Sequence, residues 1–301
     1  MTAWESFRLL EEADHLKARI QDLLAEASSL QHQPDNTTRH VISLQHTADI
    51  AQRTGRTRRE IDILALEHDI VPERYLRNLN SLSPKDQITL LKSHACIVGL
   101  GGLGGSLVEI LARIGLGTLT IIDGDVFEES NLNRQLLSSE HNLSQTKASA
   151  ALEKILTINS SVHVLDHTEA MDRKNAVELL GRADIAVDCL DSVQTRFVLE
   201  KAAKEAGIPM VSAAVAGYAG QLTAIFPGDR GLASIYGPVE SRPSTRGAET
   251  VLGNLPFTVS LLASLESAEV VNILLTGDSS LRNELLLIDL KDHHFEKVRL
   301  I

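Results

Sequence analysis

Four of the six residues Gly99-Leu100-Gly101-Gly102-Leu103-Gly104 are glycines, and they separate a short apolar run, His94 to Val98, from an amphipathic stretch reaching Gly115. Glycines at such a place let the backbone turn tightly and approach a phosphate with no side chain in the way. The helix that follows then offers free N–H groups and a positive dipole end to the anion. Asp123 closes the next apolar run, Leu119 to Ile122, nineteen residues after Gly104. A carboxylate there can accept hydrogen bonds from a ribose hydroxyl. This is a nucleotide-binding fingerprint that does not by itself separate NAD or FAD from ATP. A structural Gly-rich turn without ligand is the bland alternative.

The residues downstream narrow the chemistry. Asp125 is followed by Asn131-Leu132-Asn133-Arg134-Gln135, and Lys147 stands thirteen residues beyond Arg134. Hydride transfer develops no extra phosphate charge and needs neither cation. Phosphoryl or nucleotidyl transfer needs both, to neutralise a triphosphate and the charge that builds at the attacked phosphorus. Asp191, just past the strand ending at Asp188, reaches the same edge of the sheet and suits a Mg2+ ion. Each has a plainer reading: solubility for Arg134 and Lys147, a helix N-cap for Asp191.

These residues need a scaffold, and the chain supplies one by alternation. Strands are expected at His94–Val98, Leu119–Ile122, Val162–Leu165, Ile185–Asp188 and Met210–Val215. Helices are expected near 104–115, 144–158, 171–181 and 194–206 between them. Such spacing makes parallel strands with helical crossovers, an α/β doubly wound, Rossmann-like sheet whose loops at the strand ends can gather the site. Gln221–Phe226, Glu284–Leu290 and Phe295–Leu300 lack crossovers of that kind, and Lys291–His294 reads as a hairpin link. The sheet is therefore mixed in its C-terminal part. Residues 1–70 form a helical N-terminal extension, and 71–301 the nucleotide-binding domain. Leu9, Ala13, Leu16, Ile20, Leu23, Ala27 and Leu30 make a heptad seam that must be covered, by its own body or by a partner. Residues 31–59 read as a polar connector with some helix; the cluster Arg53, Arg56, Arg58 and Arg59 reads as a solvated face.

Composition removes several classes. With 29 Lys and Arg against 40 Asp and Glu, the formal charge is −11, which speaks against a nucleic-acid coat or a polybasic membrane anchor. The start, MTAWESFRLLEEADHL, carries acids where a signal peptide needs a basic start, and Glu266 and Glu269 interrupt the most apolar late stretch. A cytoplasmic protein is expected. Cys96 and Cys189 are the only cysteines, too few for a disulfide framework.

GLGGLG, the strand ending in Asp123, NLNRQ, Lys147 and DCLDSVQTR together resemble the ThiF/MoeB/HesA adenylyltransferases, relatives of ubiquitin-activating enzymes. The resemblance runs from about Arg74 to Ile301 and includes RYLRN and the late LGNLPFTVSLLASLESAEVVNILL helix. It implies that Gly99, Gly101, Gly102 and Gly104 wrap the ATP phosphates and that Asp123 holds the ribose. It assigns Asn131, Arg134 and Lys147 to the phosphates, Asp191 to Mg2+, and Gln135 to shaping the same loop. Arg77, in RYLRN, matches more loosely the arginine that this family supplies from the other subunit of a homodimer. The implied reaction is adenylation of a carboxylate, typically the C-terminal glycine of a ubiquitin-like sulfur-carrier protein ending in Gly-Gly, with release of pyrophosphate.

Two departures stand out. Many relatives hold zinc with two C-x-x-C pairs; FPGDRGLASIYGP has no cysteine, so zinc is not expected. Some relatives place a thiol on a loop crossing the site; the matching segment is Ser244 to Thr250, with Arg246 in the thiol's place. Cys96 and Cys189 read as small buried hydrophobes. The adenylate would then pass to a separate sulfurtransferase or another acceptor. The eleven histidines suggest no ligand set. Alternatives from other classes are a non-catalytic nucleotide-binding scaffold and an NAD-dependent oxidoreductase, the latter leaving NLNRQ unexplained. Within the family, a tRNA nucleoside or a peptide carboxylate could replace the carrier.

Overall fold

The computed structural model describes residues 3–238 and 248–300. By internal contacts the chain divides into Met1–Leu91 and Lys92–Ile301. In the first unit, α1 (Ala3–Ala27) precedes β1 (Ser29–His32), β2 (Thr38–Ile42), α2 (Leu44–Thr54), α3 (Arg58–Glu67), β3 (Ile70–Pro72) and α4 (Pro84–Lys92). The extension is thus not helical alone. Its strands form a sheet of order β1-β2-β3, antiparallel then parallel. The expected connector is in fact ordered by caps. Ser43 caps α2, and Thr57 with Glu60 forms a capping box on α3.

From Leu16 onward the seam of α1 is covered by its own unit: Ile20, Leu23 and Leu24 pack with Ile42, Ile50, Ile61 and Ile70. Leu30 lies on β1 and is exposed, so the seam ends with the helix at Ala27. The boundary between units falls at Leu91/Lys92 rather than after residue 70. β3 pairs with β2, and Tyr75 and Leu91 pack on Leu66, which ties the stretch to the first unit.

The second unit runs β4 (His94–Val98), α5 (Gly102–Ile114), β5 (Thr118–Ile122), α6 (Lys147–Ile158), β6 (His163–His167), α7 (Ala176–Leu180), β7 (Ile185–Asp188), α8 (Val193–Ala206), β8 (Met210–Ala216), β9 (Ala219–Ile225), α9 (Ala233–Tyr236), α10 (Glu249–Leu252), α11 (Pro256–Thr276), β10 (Glu284–Asp289) and β11 (His294–Arg299). Among the described residues these strands make one eight-stranded sheet of order β11-β10-β9-β8-β7-β4-β5-β6. The five strands from β8 to β6 in that order are parallel, and the β8–β9, β9–β10 and β10–β11 pairs are antiparallel. The doubly wound, mixed architecture is as expected.

Two helices are shorter than their periodicity suggests. Ser144 has a φ of +70°, which a helix interior does not admit, and the chain becomes helical only at Lys147. Asp172 accepts hydrogen bonds from the N–H groups of Lys174 and Asn175, a turn that delays the next helix to Ala176. Helix α11 is apolar and long enough to cross a membrane, yet it packs on α5, β8 and β9, with Glu266 and Glu269 buried rather than facing solvent.

Candidate functional site

The strand order reverses beside β4: β5 lies on one side and β7 on the other. Loops after these strands open into the crevice where such sheets bind ligands. The loop after β4 carries the glycines. Gly99 has a φ of +93°, and a Cβ there would sit 2.6 Å from the carbonyl oxygen of Cys189, so the loops after β4 and β7 touch only because this residue is glycine. A Cβ on Gly104 would collide with the Gly99 carbonyl, so that position seats α5 against the turn. Gly101 is the N-cap of α5 and supplies no side-chain cap, leaving N–H groups of the first turn for a ligand.

A cavity of about 310 Å³ opens there, lined by Gly99, Gly101, Gly102, Asp123, Asp125, Arg134, Gln135, Lys147, Cys189, Asp191, Arg196 and Asn254 among others. Eight of the eleven positions expected in the site line this cavity. Gly104 lies behind the turn. Asn131 is buried in the wall of the loop, where its side-chain oxygen accepts from the Glu128 N–H in a capping box. It shapes the loop bearing Arg134. Arg77 is exposed in the first unit, on a groove with His32, Glu73 and Leu76.

Asp123 braces the turn: Oδ2 accepts from the Leu100 N–H at 2.7 Å and Oδ1 from the Asp125 N–H at 2.8 Å. A carboxylate has further lone pairs for a ligand hydroxyl. Burial pushes its pKa up, against the opposing pull of Lys147. Lys147 is itself buried, with Nζ 2.9 Å from Asp125 Oδ2 and 4.0 Å from Asp123 Oδ2. Arg134 donates from Nη1 to the Ser130 carbonyl and to Asn133 Oδ1. Ser192, not Asp191, caps α8, which leaves the exposed Asp191 carboxylate at the cavity.

Behind this layer lies a buried network whose arginine the sequence reading had passed over. Arg196 donates to Asp188 Oδ2 at 3.1 Å, to the Ala213 carbonyl at 2.7 Å and to the Leu190 carbonyl. Ser212 also donates to Asp188, at 2.6 Å. Glu266 accepts from the Cys189 thiol, and burial raises the pKa of Glu266 well above its ordinary value. Arg196 stands inside DCLDSVQTR, eight residues after Asp188; that spacing across a strand end and a helix start was the available signal.

A second cavity of about 460 Å³ shares Asp191, Arg196, Ala214 and Val215 with the first. Its walls include Ala216, Ala219, Gly220, Tyr236, Ala248 and Leu252. Cys96 is fully buried, with its pKa pushed to about 12, and burial raises that of Cys189 well above the ordinary thiol value. Both behave as packing residues. Arg246 lies outside the described residues. Among the described residues, no three His, Cys, Asp or Glu side chains come together to hold a metal.

The residues present fit a nucleotide. Gln135 Oε1 and Asn254 Oδ1 are buried without a hydrogen-bond partner in the cavity wall, beside an uncapped helix N-terminus and two cations. One carboxylate at the cavity, Asp191, fits Mg2+, which keeps its waters and takes its other ligands from phosphate.

A family model described as the ThiF family matches residues 75–301. The chain is 32% identical over 231 residues to the SAMP-activating enzyme E1 of Haloferax volcanii, a match covering 75% of this chain and 84% of that protein. It is 34% identical over 230 residues to the adenylyltransferase and sulfurtransferase MOCS3 of Danio rerio, covering 75% of this chain but only 50% of the relative. The chain thus spans about half the length of that relative. A crystal structure of E. coli MccB with ATP superposes with a TM-score of 0.65 at 20% identity, covering 85% of this chain and 79% of MccB, a likeness of fold.

Proposed function

Since this chain belongs to the ThiF family and is an ATP-dependent adenylyltransferase, we propose that it activates the C-terminal glycine carboxylate of a ubiquitin-like sulfur-carrier protein. The observation that carries this reading is the pair of cavities meeting at Asp191 and Ala214. The first has the anion-binding turn and cations of a triphosphate site. The second has small residues at Ala214, Ala216, Ala219 and Gly220 along one wall, where an extended Gly-Gly tail can lie close to the backbone.

In this reading a carboxylate oxygen of the tail bonds to the α-phosphorus of ATP. The bond from that phosphorus to the oxygen bridging to the β-phosphate breaks, and pyrophosphate leaves with the electron pair. Glycines 99, 101 and 102 and the start of α5 hold the phosphates, and Asp123 the ribose. Arg134 and Lys147 meet the charge developing on the phosphoryl oxygens, the largest contribution available where no protein nucleophile acts. Mg2+ held at Asp191 would neutralise phosphate charge and fix the pyrophosphate leaving group. The resemblance has Arg77 supplied by a second copy, so a homodimer belongs to the proposal, as do a separate sulfurtransferase and a cytoplasmic location.

The test is mass spectrometry of ubiquitin-fold carriers ending in Gly-Gly after incubation with the protein, ATP and Mg2+. A carrier–AMP adduct supports the reading. An adduct on a short peptide and on no carrier moves the substrate to peptides, and no adduct on any carboxylate overturns it.

A further inference from the structure

We infer that Asn133 is a positioning residue that couples occupancy of the second cavity to the placement of Arg134 in the first, an inference resting on the adenylation reading above. The residue sits inside NLNRQ but does not line the first cavity. Its side chain faces both ways. Oδ1 accepts from Arg134 Nη1 at 2.8 Å, and Nδ2 donates to the backbone carbonyl of Asn254 at 3.2 Å. Asn254 lines the first cavity, and its side-chain oxygen is buried there without a partner.

The segment ending at Asn254 is also a wall of the second cavity, through Ala248 and Leu252. Its end is pinned where Gly217 donates to the Gly253 carbonyl at 2.7 Å and Thr258 donates to the Gly217 carbonyl at 2.8 Å. Directly before that anchor, the wall facing an acyl tail is the single turn of α10, which ends at Leu252. A tail seated against Leu252 therefore presses on the residues that present the Asn254 carbonyl. That carbonyl holds Asn133, and Asn133 holds the Arg134 guanidinium.

The consequence is a coupling between the two substrates. With the second cavity empty, Arg134 rests on Ser130 and Asn133. With it filled, the link fixes Arg134 where charge develops at the α-phosphorus. Coupling of this kind tightens each ligand in the presence of the other by the same factor.

The experiment uses the full chain, α,β-methylene-ATP and a Gly-Gly-ended ubiquitin-fold carrier. Nucleotide affinity is measured by calorimetry with and without saturating carrier, beside pyrophosphate-exchange kinetics with ATP. In the wild type, carrier tightens nucleotide binding at least about fivefold. Asn133→Asp keeps the acceptor for Arg134 and loses the donor to Asn254; with its affinity for nucleotide alone taken as the reference, it abolishes the tightening by carrier and lowers kcat. Asn133→Gln, which keeps both groups, restores most of it. A purely structural role would move the melting temperature of both variants and not separate them. Full tightening in Asn133→Asp, or none in an active wild type, overturns the inference. No exchange by the wild type with any carrier overturns the adenylation reading first.

Discussion

The ammonium of Lys147 lies 2.9 Å from the carboxylate of Asp125, and the lysine is buried while the aspartate side chain is largely exposed. The lysine is thus prepositioned at the start of α6, with its charge balanced until a phosphate displaces the exposed acid. Asp125→Asn removes that competitor. Steady-state kinetics should show the KM for ATP falling by roughly two- to fivefold, the scale of an exposed ion pair. Lys147→Ala should lower kcat by about 10²-fold or more, as loss of a charge-stabilising donor does.

Two glycines of the same turn should fail differently. Gly104→Ala puts a methyl group into the Gly99 carbonyl, both parts of the backbone, and should lower stability by about 1–3 kcal/mol in chemical denaturation. Gly101→Ala places its methyl at an ordinary 3.6 Å from Gln135 Nε2, inside the cavity lining. It should unfold at the wild-type denaturant concentration yet bind ATP more weakly. Equal destabilisation of both would contradict the close packing described for Gly104 alone.

Glu266 makes a pH prediction whose sign is fixed by burial. Its folded pKa lies well above the ordinary 4.5, so from 4.5 upward to that value the folded chain holds a proton that the unfolded chain has released. Stability from this group therefore falls as pH rises above about 4.5. Glu266→Gln removes the dependence. Its melting temperature relative to wild type should climb as pH rises from about 4.5, and parallel curves would rule the assignment out.

The thiols should take no part in transfer. Cys96→Ser/Cys189→Ser should retain pyrophosphate exchange within about threefold, on the scale of small, volume-conserving core changes. Gel analysis after reaction with carrier should show no thiol-sensitive conjugate.

Much of this was legible before the structure, and the reasons are local. GLGGLG needs its glycines for contacts that any such strand–turn–helix makes, and Asp123 sits at a strand end dictated by apolar patterning. The N-terminal strands were not legible. β1 is four residues long and mostly exposed, so no alternation marks it, and β3 is a three-residue Ile-Val-Pro run. Arg196 was missed because its partners, Ala213 and Ser212, come from a strand that meets α8 only in three dimensions. Glu266 read only as an interruption of an apolar stretch, and tertiary packing is what buries it. Asn131 was expected on phosphate, and its spacing from Arg134 cannot tell a ligand contact from the cap it makes with Glu128.

The central claim is that Arg134, Lys147 and Asp191 act together on the α-phosphorus of ATP. Carboxylate-dependent exchange of labelled pyrophosphate into ATP measures that step alone. The account predicts exchange that requires a Gly-Gly-ended carrier in the wild type and falls by about 10²-fold or more in Arg134→Ala and in Asp191→Ala, with both variants still folded. Exchange at wild-type rates in either variant would contradict it.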